Sequence, residues 1–250
     1  MKLSATDWSF LRSGDDPGRY YAGLAAAGYE AAETVPPQRW ALVRENGLEV
    51  LNVSGDGMQW GLNRLEEHER VLPLLRNTIA AAGHANVPHV IVFSGNRRGA
   101  SDEDGIHNCV KGLSALSADA QAARVTLLFE ALNTVDHADY HAATSAFLFE
   151  VIRRVDAPSV RALYDVYHAA VMGEEASRDL RENMELIGHI HVAGVPGRVV
   201  PAAGQQIDYT EIVRIASEAG YNGYWGLEFL PAGEPLDELA QAKRFLTTGT

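Results

Sequence analysis

Eight short apolar runs alternate with longer stretches of helical periodicity, several of those stretches end in glycine, and no glycine-rich phosphate loop follows the first run. Together these features predict an α/β fold, a single-domain (β/α)8 TIM barrel over residues 1–250. An open doubly wound sheet is the runner-up, and the missing loop removes its usual signature. The strand-like runs are "KLSATDW" (2–8), "AAETV" (31–35), "LEVLNVSG" (48–55), "HVIVFSG" (89–95), "VTLLFEAL" (125–132), "VRALYDV" (160–166), "IGHIHVAG" (187–194) and "YWGLEFL" (224–230). Between them, "PGRYYAGLAAAG", "HERVLPLLRNTIAAAGHA", "HAATSAFLFEVIRRV" and "YTEIVRIASEAG" repeat apolar residues at three- and four-residue intervals, as amphipathic helices do. The charged stretch "GEEASRDLRENME" reads as a solvated helix face, and no linker, repeat or low-complexity segment breaks the alternation.

Composition narrows the function classes. The 250 residues are 46% hydrophobic and 22% charged, enough for a sizeable core in a soluble globular protein. A net charge of −12 without a Lys/Arg-rich run repels polyanions, so nucleic acid is not an expected partner. "MKLSATDWSF" has no apolar core for a signal peptide and no stretch reaches membrane-spanning length, so cytoplasmic residence without a membrane partner is expected. A homo-oligomer is compatible with the sequence. The single cysteine, Cys109, excludes an intrachain disulfide and a multi-cysteine metal site and reads as a small packing residue.

Catalytic residues of such barrels lie at the C-terminal ends of strands. The last four runs place Glu130, Asp165, His191 and Glu228 there, all of them metal-ligating types. A lone strand-end carboxylate is most often a helix cap. Four on consecutive strands converge on one end of the barrel, where three buried carboxylates repel one another unless a cation compensates them. A divalent metal is therefore expected, Mn²⁺ or Mg²⁺ for this oxygen-rich set with one imidazole, with Co²⁺ and Zn²⁺ tolerated. Period-two alternation puts His189 on the face of His191, one layer deeper, as an interior hydrogen-bonded histidine or a substrate contact.

The stretches "LLFEALNTVDH", "LYDVYHAAVMGE", "IGHIHVAGVPGR" and "GYNGYWGLEFLPAG" resemble motifs of the hydroxypyruvate isomerase family, within the xylose-isomerase-like TIM barrels that include ketose 3-epimerases and AP endonucleases. The resemblance runs from about residue 20 to about residue 240. It implies that Glu130 and Glu228 are the acid/base pair and share the metal with Asp165 and His191. Two departures stand out. Hydroxypyruvate isomerases typically carry Gln where His191 stands, as the sugar epimerases carry His, and "PAAGQQIDY" has Gln206 in place of the family's usual Glu.

The expected reaction places an α-hydroxy carbonyl compound on the metal, which stabilises an enediolate while one glutamate removes a proton and the other returns it. Return to the neighbouring carbon isomerises, as between hydroxypyruvate and tartronate semialdehyde; return to the opposite face of the same carbon epimerises, the ketose 3-epimerase alternative. His168, on the loop after "ALYD", is a candidate to hydrogen-bond a substrate oxygen, and Arg198 in "VPGR" to hold an oxyanion or carboxylate. Asn133 is a further substrate candidate, weighed against local turn bonding; Trp8, Trp60 and Phe93 are candidates for apolar walls and read first as packing between barrel and helices. An AP endonuclease-like hydrolase calls for more histidines and a basic surface, and a non-catalytic sugar-acid binder has no use for both glutamates.

Overall fold

The computed structural model describes residues 1–248. Among the described residues nine strands form, β1 (Lys2–Thr6), β2 (Ala31–Glu33), β3 (Glu49–Val50), β4 (Asn52–Ser54), β5 (His89–Phe93), β6 (Thr126–Glu130), β7 (Val160–Asp165), β8 (Ile187–Val192) and β9 (Tyr224–Leu227). All eight expected runs contain strand. The ninth arises because the third run breaks at Leu51, whose N–H bonds Ala32 O, whereas Gly55 further on bonds Ile91 O. The run changes partner partway, and one unbroken ladder cannot follow both.

The chain divides into two compact units, the first made of Met1–Asn52, Glu175–Met184 and Ile190–Thr250, the second of Val53–Glu174 and Glu185–His189. In the first, strands follow the order β3-β2-β1-β9-β8, and every pairing in register is parallel. Thr6 lies opposite Glu33, Ala5 opposite Leu227, and His191 opposite Gly226. Helix Pro17–Ala26 starts from Asp16, whose carboxylate accepts the Gly18 N–H, and buries Tyr20, Tyr21 and Leu24. The charged segment forms helix Ala176–Asn183, which exposes its arginines and still buries Leu180.

In the second unit β5, β6 and β7 pair in parallel, with Phe93 opposite Glu130 and Glu130 opposite Leu163. Leu127, Leu128 and Phe129 are all fully buried, as in a parallel strand covered on both faces. Helix Ser145–Val155 buries Phe147, Leu148, Phe149, Val151 and Ile152. Thr144 Oγ1 accepts the Phe147 N–H at its start, and the Glu174 carboxylate accepts the Ser145 N–H at 3.0 Å, so two side chains satisfy two of the first-turn donors. Helix Asp102–Ala123, 22 residues long, is not among the expected stretches; Ser101 caps it and Asp102, Glu103 and Asp104 fill its first turn. Cys109 is buried within it, and burial pushes its thiol up. Among the described residues no helix is long and apolar enough to cross a membrane.

The turn before helix Leu65–His84 packs backbone on backbone. A Cβ on Gly61 would stand 2.6 Å from Gly57 O and 2.7 Å from Ser94 C, and would press on Phe93 O, none of which is a movable side-chain tip. Gly61→Ala should therefore destabilise by about 1–3 kcal/mol, read as a lower urea midpoint at unchanged slope. An unshifted midpoint would show that this turn yields.

Candidate active site

In the first unit the strand ends carry a connected polar chain. Glu33 closes β2, His191 is the penultimate residue of β8, and Glu228 follows β9 directly, its N–H bonding Val192 O at 3.0 Å. Glu33 is fully buried; it accepts hydrogen bonds from the Ser4 hydroxyl and the Asn52 amide and lies 3.0 Å from His191 Nε2. The other ring nitrogen, Nδ1, is 3.2 Å from Glu228 Oε2. Glu228 also accepts the Trp8 indole N–H at 2.9 Å and an Arg198 Nη2–H at 2.5 Å, while Arg198 Nε donates to the Glu228 backbone carbonyl at 3.0 Å. Burial by itself raises the Glu228 pKa. The charges of His191 and Arg198, with hydrogen bonds from His191 and Trp8, outweigh it and hold the carboxyl at about 2.

Asp7, the first residue after β1, is buried, accepts the Tyr21 hydroxyl at 2.8 Å and pairs with Arg39. Burial and the Asp7 charge push the Tyr21 phenol above its usual range.

In the second unit Glu130 closes β6 as a buried carboxylate, and its backbone carbonyl accepts the Tyr140 hydroxyl at 3.0 Å. Asp165 closes β7 and also caps the helix Val166–Val171: Oδ1 accepts the N–H groups of Tyr167 at 2.7 Å and His168 at 3.2 Å. His168 thus lies in a helix and is buried, where the sequence suggested a loop. The Asn133 N–H donates to His168 Nδ1 at 3.2 Å, which makes Nδ1 an acceptor and leaves the proton on Nε2, 3.5 Å from Asp165 Oδ2. Asn133 Oδ1 accepts the N–H groups of Val135 and Asp136, so the turn bonding weighed for this residue is present, together with its contact to His168. His189 is buried in β8, two residues before His191.

The first unit therefore brings His191, Arg198 and Glu228 together, and the second Asp165, His168 and Asn133. Sequence reasoning missed Glu33, although "AAE" ends its strand as "LFE" and "LYD" end theirs. Trp8, read first as packing and otherwise as an apolar wall, is 50% exposed, with its N–H on Glu228 and the Arg198 guanidinium 5.3 Å from its ring centre. A Trp beside a strand-end carboxylate has a polar group to satisfy, which draws it towards the site. Arg198, read as a substrate contact, is 8% exposed and held on Glu228.

Residues 22–248 match the model of the xylose isomerase-like TIM barrel family. The chain belongs to that family. A 2-oxo-tetronate isomerase of Pectobacterium atrosepticum is 26% identical over 239 residues, 90% of this chain and 91% of that one. A Mus musculus protein named, provisionally, a hydroxypyruvate isomerase is 26% identical over 119 residues; that match spans 47% of this chain and only 43% of the mouse protein. The crystal structure of an AP endonuclease, family 2, from Brucella melitensis superposes with a TM-score of 0.84 at 19% identity, covering 98% of this chain and 99% of that one. That likeness shows the TIM barrel fold.

The low Glu228 pKa has a consequence in chelator-dialysed protein. A carboxyl depressed on folding stabilises above its unfolded pKa, and that contribution is lost as pH falls through the folded value. Arg198→Gln should move the Glu228 carboxyl up from about 2 towards the ordinary carboxylate range, followed by ¹³C NMR titration. The stability gap between the two proteins should be widest above the ordinary carboxylate pKa and shrink towards pH 2. An unmoved Glu228 titration would remove Arg198 as a cause.

Proposed function

We propose that this chain, acting as one catalytic domain over residues 1–250, is a metal-dependent isomerase that interconverts hydroxypyruvate and tartronate semialdehyde or a related short 2-oxo acid. The observation that carries the reading is the ionised, buried Glu228 at a strand end, held between an imidazole and a guanidinium. Family membership supports it, as do relatives named for isomerisation of a 2-oxo acid.

Glu130, Asp165, His191 and Glu228 are the residues proposed to hold a divalent cation, Mn²⁺ or Mg²⁺ by their chemistry: three buried carboxylates and one buried imidazole. The local geometry in the first unit fits. His191 Nδ1 and Glu228 Oε2, both on buried residues, lie 3.2 Å apart and would serve as adjacent donors to such an ion. When bound, the cation supplies Lewis-acid stabilisation of negative charge on two adjacent substrate oxygens.

Glu130 and Glu228 move the proton. In the forward direction the ionised glutamate takes a proton from the hydroxymethyl carbon of hydroxypyruvate, the other, entering as the carboxylic acid, delivers its proton to the former carbonyl carbon, and exchange with solvent resets both. The hydroxyl proton passes between the two oxygens, so the product is the aldehyde isomer with no net gain or loss of atoms. His191 and Arg198 keep Glu228 anionic, and Trp8 on Oε1 with Arg198 on Oε2 fixes the plane of the carboxylate. His168 and Asn133 are proposed to orient a substrate oxygen, and His189 to contact the substrate or act as an interior hydrogen-bonded histidine. The acidic substrate is a small molecule handled without nucleic acid or membrane. His191 favours a second reading, 3-epimerisation of a neutral ketose, because sugar epimerases carry His at this position.

Two measurements test the proposal. Chelation should lower the melting temperature and abolish activity, and Mn²⁺ or Mg²⁺ should restore both; no thermal shift with any divalent ion would overturn the metal site. Glu228→Gln and Glu130→Gln should each slow solvent deuterium exchange at the substrate carbon by about 10²-fold or more, with substrate binding still measurable. Undiminished exchange in both would sink the two-carboxylate mechanism, whereas exchange on ketoses alone would establish the epimerase.

A further inference from the structure

Glu33 lies outside the proposed ligand set, yet it is among the most completely enclosed carboxylates in the protein. Such a group persists in the ionised form only where donors surround it. Three converge here: the Ser4 hydroxyl from β1, the Asn52 amide from β4, and the His191 ring, whose Nε2 is 3.0 Å from Glu33 Oε2. Ser4 and Asn52 each sit on a strand and are fully buried, so the carboxylate they hold has little freedom to turn. A carboxylate accepts only, so the proton between Glu33 and His191 belongs to Nε2. Glu228 Oε2 likewise only accepts, so Nδ1–H points to it at 3.2 Å; because Glu33 holds the Nε2 proton, Nδ1 is the nitrogen that gives up its proton to a cation.

We infer that Glu33 is the positioning residue for His191: it fixes the ring plane and keeps the proton on Nε2, so that Nδ1 is the metal-binding atom. The inference rests on the metal site proposed above. A partner carboxylate of this kind raises ligand basicity and removes the rotational cost of binding, and its loss typically weakens metal affinity about 10–100-fold. Asn52 acts one step further back by holding Glu33, so its loss should have a smaller effect in the same direction.

The experiment uses full-length protein labelled with ¹⁵N-histidine, with and without Mg²⁺, alongside Mn²⁺ calorimetry on wild type, Glu33→Gln and Asn52→Ala. His191 Nε2 should carry its proton in both metal states of the wild type, and Nδ1 should shift on Mg²⁺ binding. Glu33→Gln should weaken Mn²⁺ binding about 10–100-fold, and Asn52→Ala less, with far-UV circular dichroism and the melting profile of the chelated proteins retained. An unprotonated Nε2 in wild type would overturn the inference, as would a folded Glu33→Gln protein with Mn²⁺ affinity within about twofold of wild type. If Glu33→Gln does not fold, the wild-type Nε2 signal and Asn52→Ala decide. A wild type that binds neither ion overturns the metal reading instead, and the Nε2 proton still reports on Glu33 by itself.

Discussion

A carboxylate taken out of water loses hydration that only donors or opposite charge can replace, and the strand ends of this protein are built around that requirement. In the first unit each buried acid at or just after a strand end dictates its surroundings. Asp7 has the Tyr21 hydroxyl and Arg39; Glu33 has Ser4, Asn52 and His191; Glu228 has Trp8, Arg198 and His191. His191 belongs to two of these sets, so the chain from Ser4 to Arg198 is one network in which no carboxylate is satisfied independently of its neighbour. In the second unit Asp165 solves the same problem with backbone, through the first N–H groups of the helix it caps.

The backbone bends to serve this network. Arg198 has φ of 54°, a left-handed conformation that costs a side-chain-bearing residue roughly 1–3 kcal/mol. It is held there from both sides. Gly194 and Val199 exchange two backbone hydrogen bonds across the turn, and the Leu230 N–H bonds Arg198 O at 2.6 Å. The turn returns the guanidinium to Glu228, where Nε and Nη2 grip the backbone carbonyl and the carboxylate of one residue. That two-point hold explains why an arginine beyond the end of a strand is almost wholly enclosed. Together with the His191 charge, it holds the Glu228 carboxyl well below the usual carboxylate range.

Much of this was legible in the sequence because parallel strands announce themselves by short apolar runs, and the strand-end rule needs only the last residue of each. Applied to "LFE", "LYD", "HIH" and "GLE", it found the buried acids and imidazole; left unapplied to "AAE", it missed Glu33. The break at Leu51 was hidden because a change of hydrogen-bond partner alters no side chain. Helix Asp102–Ala123 was obscured by glycines within it, one of which is required by close packing: a Cβ on Gly105 would stand 2.7 Å from His141 Nδ1. The contacts of Trp8 with Glu228, more than two hundred residues away in sequence, arise from strand register, and no local pattern encodes register between β1 and β9.

Asp165 shows why the structural and chemical readings of a strand-end acid are not rivals. Its Oδ1 stabilises the helix that begins at Val166, and the same two bonds fix the plane of the carboxylate and hence the direction of Oδ2. The cap also sets His168 at the third residue of that helix, where its Nε2 meets Oδ2 at 3.5 Å and its Nδ1 takes the Asn133 N–H. The helix cap is therefore the device that orients the acid, just as Ser4 and Asn52 orient Glu33 and Arg198 orients Glu228. At each of these positions the bonds that make burial of a charge tolerable are the same bonds that aim it, so the energetic requirement of the fold and the geometric requirement of the site are met by one set of contacts.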